Sequence, residues 1–247
     1  YLFGGRENIQ FNKLILDEDY LFFENDQGKT AYYSKGKNES EPLIIIHGVS
    51  VPSYYYKKIA NDLSQIGYKV YVYDHFGRGF SDRPKIKYNM QDYQKQLDDF
   101  IDHLSIEKIT LLGVSMGGAL ASNYAARNPD RIKSLLLNVP FVGSQTIGLA
   151  KFVSIPIVWD FYLRFFIINK LVKRGDDLTE NEQNSDHFIN QFNVIGTENA
   201  FSSLMKNFVK HDFYNDYKLI NDYKIPVQIT YAVDDEDVPI DSILKAI

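Results

Sequence analysis

Residues 109–118, Ile-Thr-Leu-Leu-Gly-Val-Ser-Met-Gly-Gly, join a strand pattern to a helix pattern through one sharp turn. Residues 109–112 are apolar or β-branched, which predicts a short buried strand. Residues 113–117 have the form Gly-x-Ser-x-Gly, and the alanine-rich run that follows favours a helix. Strand, turn and helix in this order predict that Ser115 stands at the top of the turn.

The chemistry of serine explains these residue types. A serine hydroxyl is a weak nucleophile at neutral pH, so it must lie in reach of a base and of backbone N–H donors. A turn this tight strains the backbone at Ser115, and Gly113 and Gly117 remove Cβ atoms that would clash there. An ordinary glycine-rich turn is the alternative, because the motif alone has limited specificity. The flanking strand and helix patterns favour a nucleophile elbow.

Length and composition indicate the class of protein. The 247 residues suffice for one α/β domain with a large core, and the net charge of −5 gives no basic surface for nucleic acid. The sequence has no basic run of the kind that binds an anionic membrane. It also has no apolar run long enough for a spanning helix, so membrane contact is expected to be peripheral at most. Cysteine is absent, which excludes disulfides and thiol catalysis. The compartment is left open, with the cytoplasm favoured.

The first half of the chain alternates strand and helix patterns. Residues 20–23 and 30–33 flank a turn signal at 25–28 and predict an antiparallel hairpin. Residues 43–46 form an apolar run typical of a strand covered on both faces. Helical spacing follows over residues 52–66.

The alternation continues up to and beyond the elbow. Residues 68–73 predict a strand, 90–104 a helix, and 134–139 a strand after the elbow helix. This alternation implies right-handed crossovers and a mostly parallel sheet flanked by helices.

A long segment without strand patterns interrupts this order. Residues 141–222 contain only helical or loop patterns, with helices expected over 147–173, 187–194 and 198–212, before a strand over 225–231. We therefore expect a core over residues 1–140, a helical cap over 141–222, and the core continued over 223–247. Asp241 could cap a helix just before the chain stops, so we expect that the last βα unit of the sheet is absent.

Four motifs in this order resemble those of the α/β-hydrolase fold family, and the resemblance runs from about residue 13 to 247. His47-Gly48 resembles the oxyanion segment, and Asp74-His-Phe-Gly-Arg-Gly-Phe-Ser81 resembles the loop Asp-x-x-Gly-x-Gly-x-Ser. Gly113-Val-Ser115-Met-Gly117 matches the elbow. The segment Asp234-Asp-Glu-Asp-Val-Pro239 resembles the acid loop, in which the catalytic Asp lies four residues before the Pro.

The resemblance implies a role for each matching residue. Ser115 would be the nucleophile, and the backbone N–H groups of Val49 and Met116 would form the oxyanion hole. Asp235 would orient a catalytic histidine, with Asp234 and Asp237 as alternatives in the same loop. His47 is expected to be structural, since the family uses the backbone beside it.

The remaining polar residues of interest are expected to have structural or surface roles instead of catalytic ones. Asp74 and Arg78 are expected to order their loop through hydrogen bonds. His103 is expected to be satisfied or at the surface of a core helix, and His187 and His211 are expected to be solvated.

The sequence departs from the family pattern in one respect, because it lacks a histidine at the position of the catalytic base. The family order is nucleophile, acid and histidine, and no histidine follows Asp235 in this sequence. Two explanations are open: the βα unit with the histidine is absent from this sequence, which we favour, or the protein is a non-catalytic ligand-binding member. Without the base, the chain ending at Ile247 is expected to hydrolyse p-nitrophenyl esters very slowly or not at all.

The expected substrate is a small-molecule carboxylic ester with an apolar acyl chain. The cap segment is rich in apolar and aromatic residues, which either line an acyl pocket or pack against neighbouring helices. These residues are Phe152, Val153, Ile157, Val158, Phe161, Tyr162, Phe165, Phe166, Ile167 and Ile168. A carboxylesterase or a lipase of the monoacylglycerol or lysophospholipid type is favoured.

Several other activities share the elbow and triad. C–C bond hydrolases, peptidases and cofactor-free haloperoxidases stay open, whereas Ser115 disfavours dehalogenases and epoxide hydrolases, which use an aspartate at the elbow. No metal and no organic cofactor are expected, because the sequence contains neither a metal-ligand cluster nor a phosphate-binding glycine loop.

Overall fold

A seven-stranded sheet forms the centre of the protein in a computed structural model that describes residues 19–143, 162–171, 173, 182–233 and 240–245. The strands are β1 (Leu21–Glu24), β2 (Lys29–Lys35), β3 (Glu41–Ile46), β4 (Tyr68–Tyr73), β5 (Ile109–Val114), β6 (Ile132–Asn138) and β7 (Val227–Thr230). Their order is β1-β2-β4-β3-β5-β6-β7. All neighbours from β4 to β7 pair in parallel, and β1 and β2 are antiparallel to their neighbours. The predicted mostly parallel sheet is confirmed.

Helices cover both faces of this sheet. They are α1 (Lys57–Gln65), α2 (Met90–His103), α3 (Met116–Arg127), α4 (Glu182–Gln191), α5 (Thr197–Asn207), α6 (Phe213–Asp222) and α7 (Ile240–Leu244). Short 3₁₀ turns lie at Ser53–Tyr56, Pro129–Arg131 and Phe208–Lys210, and a π-helix spans Leu163–Ile168. Among the described residues, no helix is long and apolar enough to cross a membrane.

The side chains of β3 separate the two helical layers. Ile44 and Ile46 belong to the apolar cluster that includes residues of α2 and α3, whereas Leu43 and Ile45 belong to the cluster that includes Ala60 of α1. All four strand residues are fully buried. Successive residues of a strand point to opposite faces, so a continuous apolar run is required where both faces are covered.

The N-terminal hairpin and the first helices agree with the sequence pattern. Leu21 pairs with Tyr32 across β1 and β2, and the side chain of Asn25 accepts hydrogen bonds from the N–H groups of Gln27 and Gly28 in the turn. The helix predicted over residues 52–66 begins as a 3₁₀ turn and continues as α1.

Helix α2 carries a complete capping box. Asn89 and Asp92 each accept a hydrogen bond from the backbone N–H of the other. This arrangement satisfies N–H groups that have no partner within the helix, and it fixes the start of α2 next to the loop that follows β4.

The segment between β6 and β7 is helical where it is described, apart from turns and a single bridge residue at Val194. The pattern over 198–212 corresponds to α5 and its 3₁₀ extension. The sequence did not indicate α6 as a separate helix, although Asp212 caps it by accepting a hydrogen bond from the Asn215 N–H. Most of the helix predicted over 147–173 lies outside the described residues, and the domain boundaries at 141 and 222 stay predictions.

Strand β7 differs from the inner strands in exposure. It pairs in parallel with β6 at the end of the strand order. Val227 is 39% exposed, and Val233, just after the strand, is 75% exposed. Among the described strands, β7, which leads to the predicted acid loop, is therefore the only one without a buried residue.

Candidate active site

Ser115 lies at the turn between β5 and α3 with φ 51° and ψ −115°. A non-glycine residue with positive φ is strained, so it persists only where the surroundings hold it. The Ser115 N–H donates to the Asn138 carbonyl at 3.0 Å, and the Ser115 carbonyl accepts from the N–H groups of Gly118 and Phe141, each at 2.9 Å. These bonds attach the turn to the end of β6 and hold the strained backbone.

The glycines of the elbow allow the backbone of α3 to approach β3 and β5. A Cβ at Gly117 would lie 1.9 Å from the Ile46 carbonyl oxygen, and one at Gly113 would lie 2.5 Å from the Gly117 oxygen. Both distances are impossible for a carbon atom, so only glycine fits at these positions. The reason given for these residues from the sequence is therefore supported by the packing.

The segment after β3 lies directly against the elbow. A Cβ at Gly48 would be 3.5 Å from the Ser115 Cβ, and both Ser115 and Val49 are partly exposed. Within the described residues, the backbone N–H groups of Val49 and Met116 and the Ser115 hydroxyl have no hydrogen-bond partner. The structure thus places the segment after β3 against Ser115, and it leaves these two N–H groups without another described partner, as an oxyanion hole requires.

His47 is fully buried and both of its ring nitrogens bind backbone groups. Nδ1 lies 2.6 Å from the Gly48 carbonyl oxygen, and Nε2 accepts the N–H of His75 at 3.0 Å. Burial lowers the pKa of His47 to about 3, and the charge of Arg78 acts in the same direction. A neutral imidazole with both nitrogens occupied is not available as a base, which supports the structural role expected for His47.

Asp74 orders the loop that follows β4. Its carboxylate accepts the N–H of Ser53 at 2.7 Å and that of Phe80 at 2.9 Å, while its carbonyl accepts the Ser81 hydroxyl at 2.6 Å. Burial raises the pKa of Asp74. These bonds close the loop on itself and support the loop-ordering role predicted for this residue.

Two arginines lie in the same loop, of which Arg78 is fully buried and Arg83 is partly buried. Arg78 donates from Nε to the Val49 carbonyl and from Nη1 to the Gly77 carbonyl, and its guanidinium carbon lies 3.5 Å from the centre of the Phe201 ring. Arg83 donates from Nη1 to the carbonyls of Gly79 and Ser81. Burial lowers the pKa of Arg83 to about 10. The sequence indicated a structural role for Arg78 and did not indicate Arg83.

Gln191 is a second residue near the site that the sequence did not indicate. Its amide nitrogen donates to the Ser50 carbonyl at 3.1 Å, and its side-chain oxygen accepts the Gly79 N–H at 3.4 Å. The side chain is buried at the end of α4. A buried amide that binds residues more than a hundred positions away leaves no local sequence signal.

The three histidines that lie further from the elbow make contacts of their own. His103 is exposed on α2 beside the Tyr32 hydroxyl, as expected. The solvated role expected for His187 and His211 is wrong. The His187 ring packs against the rings of Tyr54 and Phe80, and His211 Nε2 lies 2.7 Å from an Asp216 oxygen. Among the described residues, no histidine hydrogen-bonds to Ser115.

His211 also lines a cavity of about 360 Å³ between α2 and α3. The other lining residues are Met90, Gln91, Gln94, Lys95, Asp98, Asp99, Asn123 and Arg127. Ser115 is not among them, so this cavity is separate from the elbow.

The predicted acid lies outside the described residues. Asp235 and its alternatives Asp234 and Asp237 follow β7 by a few positions, and their role stays a prediction. Within the part of the chain that the structure describes, no group of three or more His, Asp or Glu side chains could hold a metal ion.

An apolar cluster lies next to the oxyanion segment. Its buried members are Leu163, Ile168, Phe188, Phe192 and Phe201, and partly buried neighbours include Val49, Val51, Tyr55 and Met205. We call these residues the aromatic cluster. It joins the predicted cap to the segment beside Ser115, so an apolar surface is close to the candidate nucleophile.

The family model described as the alpha/beta hydrolase fold matches residues 41–245. The chain belongs to this family, and the resemblance inferred from the four motifs is confirmed.

Relatives of this chain include enzymes with different chemistries. A cis-3-alkyl-4-alkyloxetan-2-one decarboxylase of Shewanella oneidensis is 32% identical over 120 residues, which are 47% of this chain and 37% of that protein. Haloalkane dehalogenase 2 of Mycobacterium tuberculosis is 24% identical over 162 residues, which are 63% of this chain and 56% of that protein. The match thus spans between about a third and just over half of the length of these curated relatives.

Solved structures share the fold over most of the chain. A structure from work on carboxylesterases of Nitrososphaera gargenis aligns with a TM-score of 0.71 over 92% of this chain and 85% of that chain, at 20% identity. At this identity the likeness shows the fold alone.

Proposed function

We propose that the protein is a serine hydrolase that cleaves a carboxylic ester through an acyl-enzyme on Ser115. Ser115 attacks the ester carbonyl, and the N–H groups of Val49 and Met116 bind the oxyanion that forms. Asp235 orients the histidine that accepts the serine proton and later donates it to the leaving alcohol.

One observation carries this proposal. A serine with φ 51° lies against Gly48, and the two neighbouring N–H groups have no partner within the described residues. N–H groups that are already in place cost no reorganisation when negative charge develops on the substrate oxygen. The loss of one such donor typically lowers kcat by about 10²–10³-fold.

The base is the element of the triad that the described residues do not supply. His47 is occupied by backbone groups, and the other described histidines do not hydrogen-bond to Ser115. We therefore keep the expectation that the histidine follows the acid loop in the product of the complete gene. Reading the gene beyond Ile247 tests this: a stop codon there, or no histidine after the next strand, removes the triad.

The aromatic cluster supports an apolar acyl chain as part of the substrate. Val49 belongs to the cluster, and the same residue supplies one of the proposed oxyanion donors. An acyl chain that extends from a carbonyl bound at Val49 would therefore lie close to apolar side chains. The dehalogenase chemistry of one relative is disfavoured, because the elbow carries a serine instead of the aspartate that the resemblance implies for that reaction.

Covalent labelling tests the nucleophile. The product of the complete gene is treated with a fluorophosphonate probe, in parallel with the variants S115A and S122A. Ser122 is a buried serine of α3, the helix that begins directly after Ser115, so S122A is the matched control. We expect labelling of the wild type and S122A and none of S115A. Labelling of S115A at the wild-type rate would rule out Ser115 as the nucleophile.

An acyl series tests the substrate. We expect kcat/KM for p-nitrophenyl esters to rise from acetate to octanoate, because each added methylene enters an apolar surface. If kcat/KM does not increase with chain length, the proposed lipid-ester substrate is wrong. The assignment of Ser115 as the nucleophile is not affected by this result.

A non-catalytic ligand-binding protein is the second candidate. It is favoured by one observation, namely that no described histidine hydrogen-bonds to Ser115. A folded gene product that fails to react with the fluorophosphonate and hydrolyses no ester of the series would support this candidate against the enzyme.

A further inference from the structure

The carbonyl groups of three successive residues after β3 are each bound by a side chain. The Gly48 carbonyl lies 2.6 Å from His47 Nδ1, the Val49 carbonyl accepts from Arg78 Nε, and the Ser50 carbonyl accepts from Gln191 Nε2 at 3.1 Å. We call residues 48–50 the oxyanion loop.

These bonds fix the direction of the Val49 N–H. A trans peptide is planar, and its carbonyl and its N–H point in opposite directions. The peptide of Gly48 and Val49 is held by His47, and the peptide of Val49 and Ser50 is held by Arg78. The backbone of Val49 is therefore held on both sides, so its N–H has little freedom to rotate.

Arg78 is costly for the fold. It is fully buried, and within the described residues its Nη2 atom has no acceptor and its guanidinium forms no ion pair with a carboxylate. A buried cation without a counterion is strongly unfavourable. The neighbouring ring of Phe201 compensates only in part, since a cation over an aromatic face gains modest energy.

Arg78 and Gln191 also join the oxyanion loop to the predicted cap. Phe201 lies on α5 and Gln191 ends α4, and both belong to the helical segment between β6 and β7. Gln191 additionally binds the Gly79 N–H, one residue from Arg78. The oxyanion loop is thus braced by one loop of the core and by the predicted cap at the same time.

We propose that Arg78, together with Gln191, is a positioning residue of the oxyanion hole, which holds the Val49 N–H toward Ser115 and places beside the site of oxyanion formation a positive charge that no carboxylate of the described residues pairs. This inference rests on the proposed role of Ser115. It assigns to the buried arginine a function in transition-state binding beyond the ordering of its loop.

Arg83 offers a matched control. It is a second, partly buried arginine of the same loop, and it binds the carbonyls of Gly79 and Ser81 and the hydroxyl of Thr197. None of these groups belongs to the oxyanion loop. If the variants of both arginines change in stability to a similar extent, an effect on catalysis that only the Arg78 variant shows has another cause.

The experiment compares R78M, R78K, R83M and Q191L with the wild type, each as the product of the complete gene, using a p-nitrophenyl ester and a trifluoromethyl ketone. The ketone forms a tetrahedral oxyanion adduct with an active-site serine and so reports on the oxyanion hole. Thermal unfolding of each variant measures the structural effect separately.

We expect R78M to lower kcat about 10–100-fold with KM within about 3-fold of wild type, because the lost interaction acts in the transition state. Its affinity for the ketone should fall by a similar factor. Q191L should lower kcat about 3–10-fold, and R78K should recover part of the loss because it keeps the charge. R83M should keep kcat within about 3-fold of wild type.

Equal kcat values for R78M and R83M would overturn the proposal, and so would a change in KM alone. If R78M does not fold, Q191L decides: an unchanged kcat and ketone affinity would overturn the proposal. A wild-type protein that neither reacts with fluorophosphonate nor hydrolyses esters would instead overturn the proposed function, and this inference would fall with it.

Discussion

The two sides of the proposed triad lie in unlike parts of the sheet. The nucleophile side is built from β3 and β5, where Ile46 and Leu111 are fully buried and the backbones of two elements touch at Gly117. The acid side follows β7, where Val227 is 39% exposed and Val233 is 75% exposed. The serine and its N–H donors are therefore held by the core, whereas the predicted acid follows the least buried strand.

This difference has a physical consequence for local stability. Regions with many buried apolar contacts open only with global unfolding, whereas regions with exposed side chains and few such contacts open at lower free energy. We expect substitutions on the nucleophile side to affect the whole fold and those on β7 to have small effects.

The largest effect is expected from a methyl group at the elbow. In G117A the new Cβ would lie 1.9 Å from the Ile46 carbonyl oxygen, so α3 must move away from β3. We expect a loss of more than about 4 kcal/mol in the free energy of unfolding, or no soluble protein. The control is G48A, whose Cβ would make an ordinary contact of 3.5 Å with the Ser115 Cβ. Urea unfolding that is equal for both variants would contradict the close approach.

Two substitutions, one on β5 and one on β7, compare the nucleophile side with the acid side directly. L111A removes a fully buried side chain from β5 and should cost about 2–5 kcal/mol. V227A shortens a side chain on β7 that is 39% exposed and should cost about 0.5 kcal/mol or less. Urea unfolding of both variants gives the two values, and a cost for V227A near that for L111A would show that β7 is buried like the inner strands.

The third effect is a dependence of stability on pH that comes from the nucleophile side. Burial lowers the pKa of His47 to about 3, and it also lowers the pKa of His75. The unfolded chain takes up these protons near pH 6.5 and the folded chain does not. Stability is therefore fully present above pH 6.5 and falls as the pH decreases below it, by at most about 1.4 kcal/mol per pH unit for each histidine.

Unfolding in urea at pH 7.5, 6.5 and 5.5 measures this slope. Asp74 works in the opposite direction at the acidic end, because burial raises its pKa and the folded state then binds its proton first. H47N should reduce the slope, and H103N, which replaces an exposed histidine of α2, is the control. A stability that does not change between pH 7.5 and 5.5 would show that neither buried histidine is held neutral.

The sequence predicted most of the sheet because its signals are local. Apolar runs predicted β3 and β5, the turn at Asn25 predicted the hairpin, and glycine spacing predicted the elbow at Ser115. Helix α6 was missed because its pattern continues that of α5 with little interruption.

The bracing of the site could not be predicted in the same way. Gln191 reaches Ser50 across 141 residues of sequence, and His187 packs on Tyr54 although it lies in a polar stretch. Such contacts depend on how distant elements meet, and neither the period nor the composition of a segment encodes them. The acid loop was indicated only by its resemblance to the family, so its role stays a prediction.

The positive φ of Ser115 also has a consequence for the stability of this turn. A non-glycine residue in such a conformation costs roughly 1–3 kcal/mol, and glycine would adopt it without that strain. The fold therefore bears at Ser115 a conformational cost that the hydrogen bonds to Asn138, Gly118 and Phe141 must offset.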